Sequence, residues 1–292
     1  MSAACIVTGA SGYLGGVVLR SLSGHRAAVG IAHGHPAPGL MPCDLTDRGA
    51  VKELLAGIRP ELVIHCAAWR DPDRCEEFPE AAARINTDVV RYICEALPSP
   101  AVFMLISTDY VFDGTRPPYA ELDPVSPVNV YGWTKVRAEE IALARGNSLV
   151  IRCPLLIGQE LEGQRGFIAQ MADAIRSGRP AEVDDVLVRF PVFGPDVSAA
   201  IEFLTEKKAA GIFHVSGESG GTRWNWTQRM AALMELPADH LRPSMDIVQR
   251  KAARPLNSQL SSDKIRRLGF EQFTPFDAVV RETVRHGIIP FS

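Results

Sequence analysis

Tyr131 and Lys135, in the run Tyr131-Gly132-Trp133-Thr134-Lys135, are spaced to sit next to each other on one face of a helix. An ammonium beside a phenol favours the phenolate and pulls its pKa below the usual value of about 10, so the pair can pass a proton near neutral pH. Upstream, the apolar run Leu105-Ile106 ends in two hydroxyls, Ser107-Thr108, ahead of Asp109-Tyr110-Val111-Phe112-Asp113-Gly114. At the carboxyl end of a parallel strand such hydroxyls face the ligand crevice of an open sheet. The third feature opens the chain: Ile6-Val7-Thr8-Gly9-Ala10-Ser11-Gly12-Tyr13-Leu14-Gly15 reads as a strand, a glycine turn and a helix start. Gly9, Gly12 and Gly15 allow the tight turn, the close approach of a pyrophosphate and the contact of helix with sheet, while the helix N-terminus offers amide donors. Taken together these residues describe a dinucleotide held beside a proton donor.

The elements that must position them alternate as strand and helix, the signature of a parallel sheet with crossover helices. Strands are expected at Cys5 to Thr8, Ala27 to Ala32, Leu62 to Ala67, Val102 to Ser107, Ser148 to Cys153 and Gly211 to Ser216. Helices are expected from Tyr13 to Leu22, from Arg48 to Gly57 behind an Asp47 cap, and from Val128 to Arg145. The run Pro79 to Leu97, with Ile85, Val89, Val90, Ile93 and Leu97 on one face, reads as a single helix. Phe167 to Ser177 and Asp196 to Glu206 are helical too. The fold class is therefore α/β, a Rossmann-type doubly wound parallel sheet with a smaller carboxy-terminal lobe. Residues 1–157 form the dinucleotide-binding domain, 190–216 return to it, and 158–189 with 217–292 build the substrate-binding lobe.

A chain of 292 residues with a formal charge of -3 has no basic field for nucleic acid, and no run is apolar enough to cross a membrane. Met1-Ser2-Ala3-Ala4 leads directly into the first strand without a basic or cleavable leader, so the expected compartment is the cytoplasm. Six scattered cysteines form no Cys-x-x-Cys pair and read as core residues. The histidines lack metal-ligand spacing, and His65, inside an apolar run, reads as a core histidine, so no metal site is expected. Trp224 and Trp226 flank Asn225 at a helix entry, where packing in the core is the simpler role.

The Thr8 to Gly15 pattern, the strand-end Ser107-Thr108 and Tyr131-x-x-x-Lys135 together resemble the extended short-chain dehydrogenase/reductase family. Within it, residues 107 to 114, Ser126-Pro127-Val128-Asn129-Val130-Tyr131-Gly132 and Arg254-Pro255-Leu256-Asn257-Ser258 resemble the dTDP-4-dehydrorhamnose reductases, over nearly the whole chain. The resemblance implies a triad with Tyr131 as general acid, Lys135 tuning it and holding the nicotinamide ribose, and Thr108 bonding the substrate oxygen. It also implies that Ser11, Tyr13, Leu14, Ser107 and Pro154 border the cofactor, that Asp44 and Leu45 line the adenine pocket, and that Ala67 and Ala68 form the turn facing it. Asn86 is implied as an active-site support; the residues alone read it as exposed. Where the family's 4,6-dehydratases carry Glu after Thr-Asp, to remove a second proton, this chain has Tyr110, which favours simple ketone reduction and places Tyr110 beside the substrate.

The segments Arg189-Phe190-Pro191-Val192-Phe193 and Leu236 to Pro243 also resemble the regulatory beta subunit of methionine adenosyltransferase, a dinucleotide-binding partner subunit. Epimerases share the fold and stay open. Two departures from the sugar reductases stand out: Trp133, which at i+2 faces away from the triad, and Arg189 to Asp196, where they show a Gly-x-Pro-Thr type segment lining the sugar-nucleotide pocket. Gly30 to His35 carries no carboxylate to repel a 2′-phosphate, so NADP(H) is expected over NAD(H), which remains the alternative, with His33 or His35 near the phosphate. A nucleotide-sugar diphosphate needs a local cation, and Arg254 is the candidate. A homodimer is compatible with all of this.

Overall fold

Short runs of Val, Ile, Leu and Cys, buried on both faces, make the strands of the central sheet, as a parallel sheet covered by helices on each side requires. The computed structural model describes residues 5–33, 37–158, 166–246 and 250–285. Its strands are Cys5–Thr8 (β1), Ala28–Ala32 (β2), Met41–Pro42 (β3), Leu62–His65 (β4), Val102–Thr108 (β5), Ser148–Cys153 (β6), Leu156–Ile157 (β7), Ala181–Asp184 (β8), Val192–Phe193 (β9), Gly211–His214 (β10) and Leu241–Ser244 (β11). The α-helices are Tyr13–Ser23 (α1), Arg48–Ile58 (α2), Pro72–Glu77 (α3), Pro79–Ala83 (α4), Val89–Ala96 (α5), Val130–Ala144 (α6), Phe167–Arg176 (α7), Gly194–Glu206 (α8), Arg223–Met234 (α9), Asp263–Arg267 (α10) and Phe276–Arg285 (α11). None of the described helices is long and apolar enough to cross a membrane.

Seven strands form one parallel sheet in the order β10-β6-β5-β4-β1-β2-β3. The chain runs outward from β1 through β2 and β3, then returns to the other side of β1 with β4. Ligands of doubly wound sheets bind at that reversal, beyond the carboxyl ends of the strands. Helices α1 and α8 bury Val18, Leu22, Val197 and Ile201 on one face of the sheet, and α2, α5 and α6 bury Leu55, Val90, Ile93 and Ala142 on the other. A separate core of Ile168, Met171, Trp226, Met230, Val279 and Val280 joins α7, α9 and α11 over the small β8–β11 sheet. Trp226 is in that core, its indole N–H donating to the Gly221 carbonyl at 3.0 Å.

Local sequence explains the boundaries near the site. Asp47 caps α2, accepting from the Gly49 and Ala50 amides at 2.7 and 3.2 Å, a contact worth about 1 kcal/mol. Helix α6 begins at Val130 rather than Val128 because Asn129 is its cap: the side-chain oxygen accepts from the Gly132 amide at 2.9 Å and the amide nitrogen donates to the Ala253 carbonyl at 2.8 Å. The single helix expected over 79–97 is broken. A π-helical turn at Arg84–Asp88 separates α4 from α5 and turns Asn86 inward. Such turns interrupt helices where a side chain has a job that the regular helix would not let it reach.

Candidate functional site

The glycine turn after β1 is built from close backbone contacts. Gly9 has φ of 67°, and a Cβ there would lie 2.7 Å from the Ala67 amide nitrogen; one on Gly15 would lie 2.2 Å from the Gly9 carbonyl oxygen. Only glycine lets the turn after β1, the turn after β4 and the start of α1 come this close. Gly12 occupies the α1 cap position with no side-chain hydrogen bond, an arrangement in which the first-turn amides, those of Leu14 and Gly15 among them, could take an anion beside Ser11. The Leu14 side chain goes into the core. These groups fit a dinucleotide diphosphate. Tyr13 reaches β7 and the start of α8: its hydroxyl donates to the Ile157 carbonyl at 2.8 Å, and its ring packs where Gly158 and Gly194 leave room.

The Thr8 hydroxyl bonds His65 Nδ1 at 2.7 Å and lies 3.4 Å from the Ala67 amide, which fixes the turn carrying Ala67 and Ala68. His65 is thus a satisfied core residue, and burial pushes its pKa down to about 3. Pro154 is buried directly after β6. At the far end of the crevice, His33 Nε2 faces Asp44 Oδ2 at 3.9 Å, both side chains being solvent-accessible. The Thr46 hydroxyl and amide hold the Asp44 carboxyl below its ordinary value. The lack of a carboxylate near a 2′-phosphate, expected from residues 30 to 35, therefore needs correction, because β3 brings Asp44 to the end of β2. Leu45, next to it, packs on the core. His35 lies outside the described residues.

At the centre, α6 lies along the carboxyl end of β5. The Tyr131 hydroxyl meets the Thr108 hydroxyl, and Lys135 Nζ donates to the Ile106 carbonyl at 2.8 Å. Gly132 makes this approach: a Cβ there would be 2.3 Å from the Tyr110 carbonyl oxygen. The rings of Tyr110 and Tyr131 meet edge to face at 5.9 Å. Thr108 also donates to Asp109 at 3.0 Å, and Asp109 accepts from Ser258. Burial raises the Asp109 carboxyl against the pull of Arg189. The expectation that Lys135 depresses the Tyr131 phenol is overturned. Burial pushes the phenol up instead, and the Lys135 ammonium turns to the Ile106 carbonyl. Lys135 itself is pushed down to about 8 by burial, with Glu139 opposing.

Asn86 is buried, correcting its exposed reading. Its amide accepts from Trp69 N at 2.8 Å and donates to the Trp69 carbonyl and the Thr134 hydroxyl, each at 3.0 Å. With those groups engaged, Asn86 positions the loop after β4 against α6. The motif at 254 to 258 docks on the one at 107 to 114. Gly114, with φ of 81°, leaves room for the Leu256 amide, and Ser258 reaches Asp109.

Arg254 does not offer a free cation. Its guanidinium binds Asp73 at 2.9 and 3.3 Å and the Ala252 carbonyl at 2.8 Å, so its role as the substrate's cation is corrected to an ion pair closing the 250s segment onto α3. The cation that the structure brings to the triad is Arg189, missed in the sequence although its segment stood out as a departure. It is half-buried, 5.6 Å from the Tyr110 ring centre, and donates to the Val188 and Pro255 carbonyls at 2.7 and 3.0 Å. Among the described residues no cluster of His, Cys, Asp and Glu could hold a metal.

A seven-stranded parallel sheet with a glycine cradle at its reversal and a Thr-Tyr-Lys group at the end of β5 is the arrangement of the extended short-chain dehydrogenases/reductases. The chain belongs to the RmlD substrate binding domain family, whose model matches residues 3–288. It is 34% identical over 288 residues to methionine adenosyltransferase 2 subunit beta of Pongo abelii, covering 96% of this chain and 86% of that one. It is 31% identical over 296 residues to a dTDP-4-dehydrorhamnose reductase of Streptomyces griseus, covering 95% and 92%. The crystal structure of a dTDP-4-dehydrorhamnose reductase from Bacillus anthracis in complex with NADP superposes with a TM-score of 0.85 at 25% identity, covering 97% and 98%.

Proposed function

We propose that the protein is an NAD(P)H-dependent reductase of a nucleotide-linked 4-keto-6-deoxysugar. The observation that carries this reading is the row Thr108, Tyr131 and Lys135 at the end of β5, next to a backbone cradle shaped for a diphosphate. A bound nicotinamide dinucleotide supplies the hydride. Thr108 and Tyr131 bond the ketone oxygen, and the phenol, which burial keeps protonated, delivers its proton there. Lys135 holds the nicotinamide ribose. Residues 158–189 and 217–292 form the substrate lobe, and the absence of a second carboxylate at Tyr110 leaves the neighbouring C–H bonds untouched. The test is NADPH oxidation with a panel of nucleotide 4-ketosugars; no turnover across the panel overturns the reading.

The 34% identity with a methionine adenosyltransferase subunit beta over 96% of this chain supports a second reading, a dinucleotide-binding partner subunit. Binding of a catalytic methionine adenosyltransferase subunit without ketosugar turnover would establish it.

NADP(H) is the preferred cofactor in this reading, supported by the relative in complex with NADP, and His33 takes the 2′-phosphate although Asp44 stands 3.9 Å from it. Fluorescence titration should show NADPH binding more tightly than NADH, and His33→Ala should bring the two affinities together. Tighter NADH binding by the unaltered protein overturns the preference.

Arg189, in place of Arg254, supplies the cation for the substrate's diphosphate. Arg189→Ala should raise KM for the nucleotide sugar far more than KM for NADPH. Arg254→Ala should instead lower thermal stability, by on the order of 1 kcal/mol given the partly exposed Asp73, and change the two KM values alike. A selective rise in sugar KM in Arg254→Ala alone would restore the original assignment.

A further inference from the structure

Behind the triad, a buried row of polar side chains crosses the sheet. Ser107 on β5, Arg152 on β6 and His214 on β10 are register partners on three neighbouring strands. All three are buried, as are Glu139 and Glu121. Glu139, on α6, accepts from the Ser107 hydroxyl at 2.5 Å and from Arg152 at 2.7, 3.0 and 3.2 Å. Arg152 continues to the Glu121 carbonyl and His214 Nε2, each at 3.3 Å, and the Glu121 carboxylate accepts from the His214 amide at 3.1 Å. Burial and Arg152 push His214 down to about 3, so it stays neutral and accepts.

The placement along α6 is regular. Tyr131, Lys135 and Glu139 are four residues apart, so they share one face, and they reach Thr108, Ile106 and Ser107 respectively, three consecutive residues of β5. A carboxylate buried one turn beyond a buried ammonium stabilises the charged form of that ammonium, and an Arg fork on both carboxylate oxygens holds it in place.

We infer that Glu139, clamped by Arg152, is a positioning residue that supplies the counter-charge to Lys135 one turn away and seats the Ser107-Thr108 strand end against α6. The inference rests on the reading in which Lys135 holds the cofactor ribose. The other groups facing Lys135 are Cys66 after β4, Cys153 on β6 and His65 on β4. Burial raises both thiols and lowers the imidazole, which leaves them neutral, so Glu139 is the facing group that contributes charge. The ammonium is lost as pH rises through about 8, and cofactor binding should weaken with it.

The test is a fluorescence titration of the whole protein with NADPH at pH values from roughly 6 to 10, independent of any sugar substrate. In the unaltered protein, affinity should fall as pH rises through the Lys135 value of about 8. Glu139→Gln, which keeps the shape and removes the charge, should move the midpoint down by about one pH unit, and Glu139→Asp should return it towards the original. An unmoved midpoint, or an equal loss of affinity at every pH, overturns the inference. Should the unpaired guanidinium keep Glu139→Gln from folding, Glu139→Gln combined with Arg152→Gln must still show a downward shift, smaller than that of Glu139→Gln because the guanidinium opposes the carboxylate at Lys135; an unmoved midpoint there overturns the inference equally. NADPH binding with the expected pH dependence but no ketosugar turnover would sink the reductase reading alone.

Discussion

Replacing Tyr131 by Phe should lower the rate of ketone reduction by roughly 10²–10⁴-fold, the range for losing a positioned acid, while NADPH affinity stays close to that of the unaltered protein. Among the described residues the phenol hydroxyl meets the Thr108 hydroxyl, and the ring keeps its edge-to-face contact with Tyr110 without it. Because burial raises the phenol, it holds its proton across the working pH range, which suits the reducing direction. Lys135→Met should do more, since it removes a buried ammonium at the Ile106 carbonyl and a contact to the cofactor; kcat and NADPH affinity should fall together. The double variant should lose less than the sum of the two, because both act on one proton transfer. Steady-state kinetics with an active ketosugar and fluorescence binding separate these outcomes. A Tyr131→Phe protein that reduces at the normal rate would end the proposed mechanism.

The second large effect is expected at a residue with no side chain. A methyl group at Gly15 would stand 2.2 Å from the Gly9 carbonyl oxygen and 2.7 Å from its carbon, and these are backbone atoms with no rotamer to turn away. Gly15→Ala should displace the cradle, costing about 1–3 kcal/mol of stability and at least about tenfold in NADPH affinity. Gly57→Ala is the control. It lies in α2 with nothing within 4 Å of the added atom, and should stabilise the protein by roughly 0.4–1 kcal/mol. Thermal unfolding and cofactor titration of both variants check this, and normal NADPH binding by Gly15→Ala would mean that the cradle is not where the diphosphate sits.

Much of this was legible in the residues because the informative contacts are local. The strands at 5–8, 148–153 and 28–32, the Asp47 cap and the Tyr131-Lys135 face follow from apolar runs, a capping side chain and helical spacing. What could not be read depends on residues distant in sequence. The π-turn at 84–88 exists because Asn86 bonds Trp69 and Thr134, and no local preference announces that. Met41–Pro42, exposed and two residues long, pairs with β2 through the fold and not through its own composition, yet it delivers Asp44 to His33. Arg189 and Arg254 look alike as isolated cations. Only the structure shows that Asp73 occupies one and that the other stands over Tyr110.

Tyr13 has a consequence of a mechanical kind. It starts the helix whose first amides serve the phosphate cradle, and its far end is bonded to Ile157 and wedged between Gly158 and Gly194, where the chain leaves and re-enters the sheet domain. A single phenol thus pins both crossings to the loop at the head of α1, like an axle through two hinge leaves. Shortening that one side chain should therefore loosen both crossings together, since the same ring fills the space beside each of them.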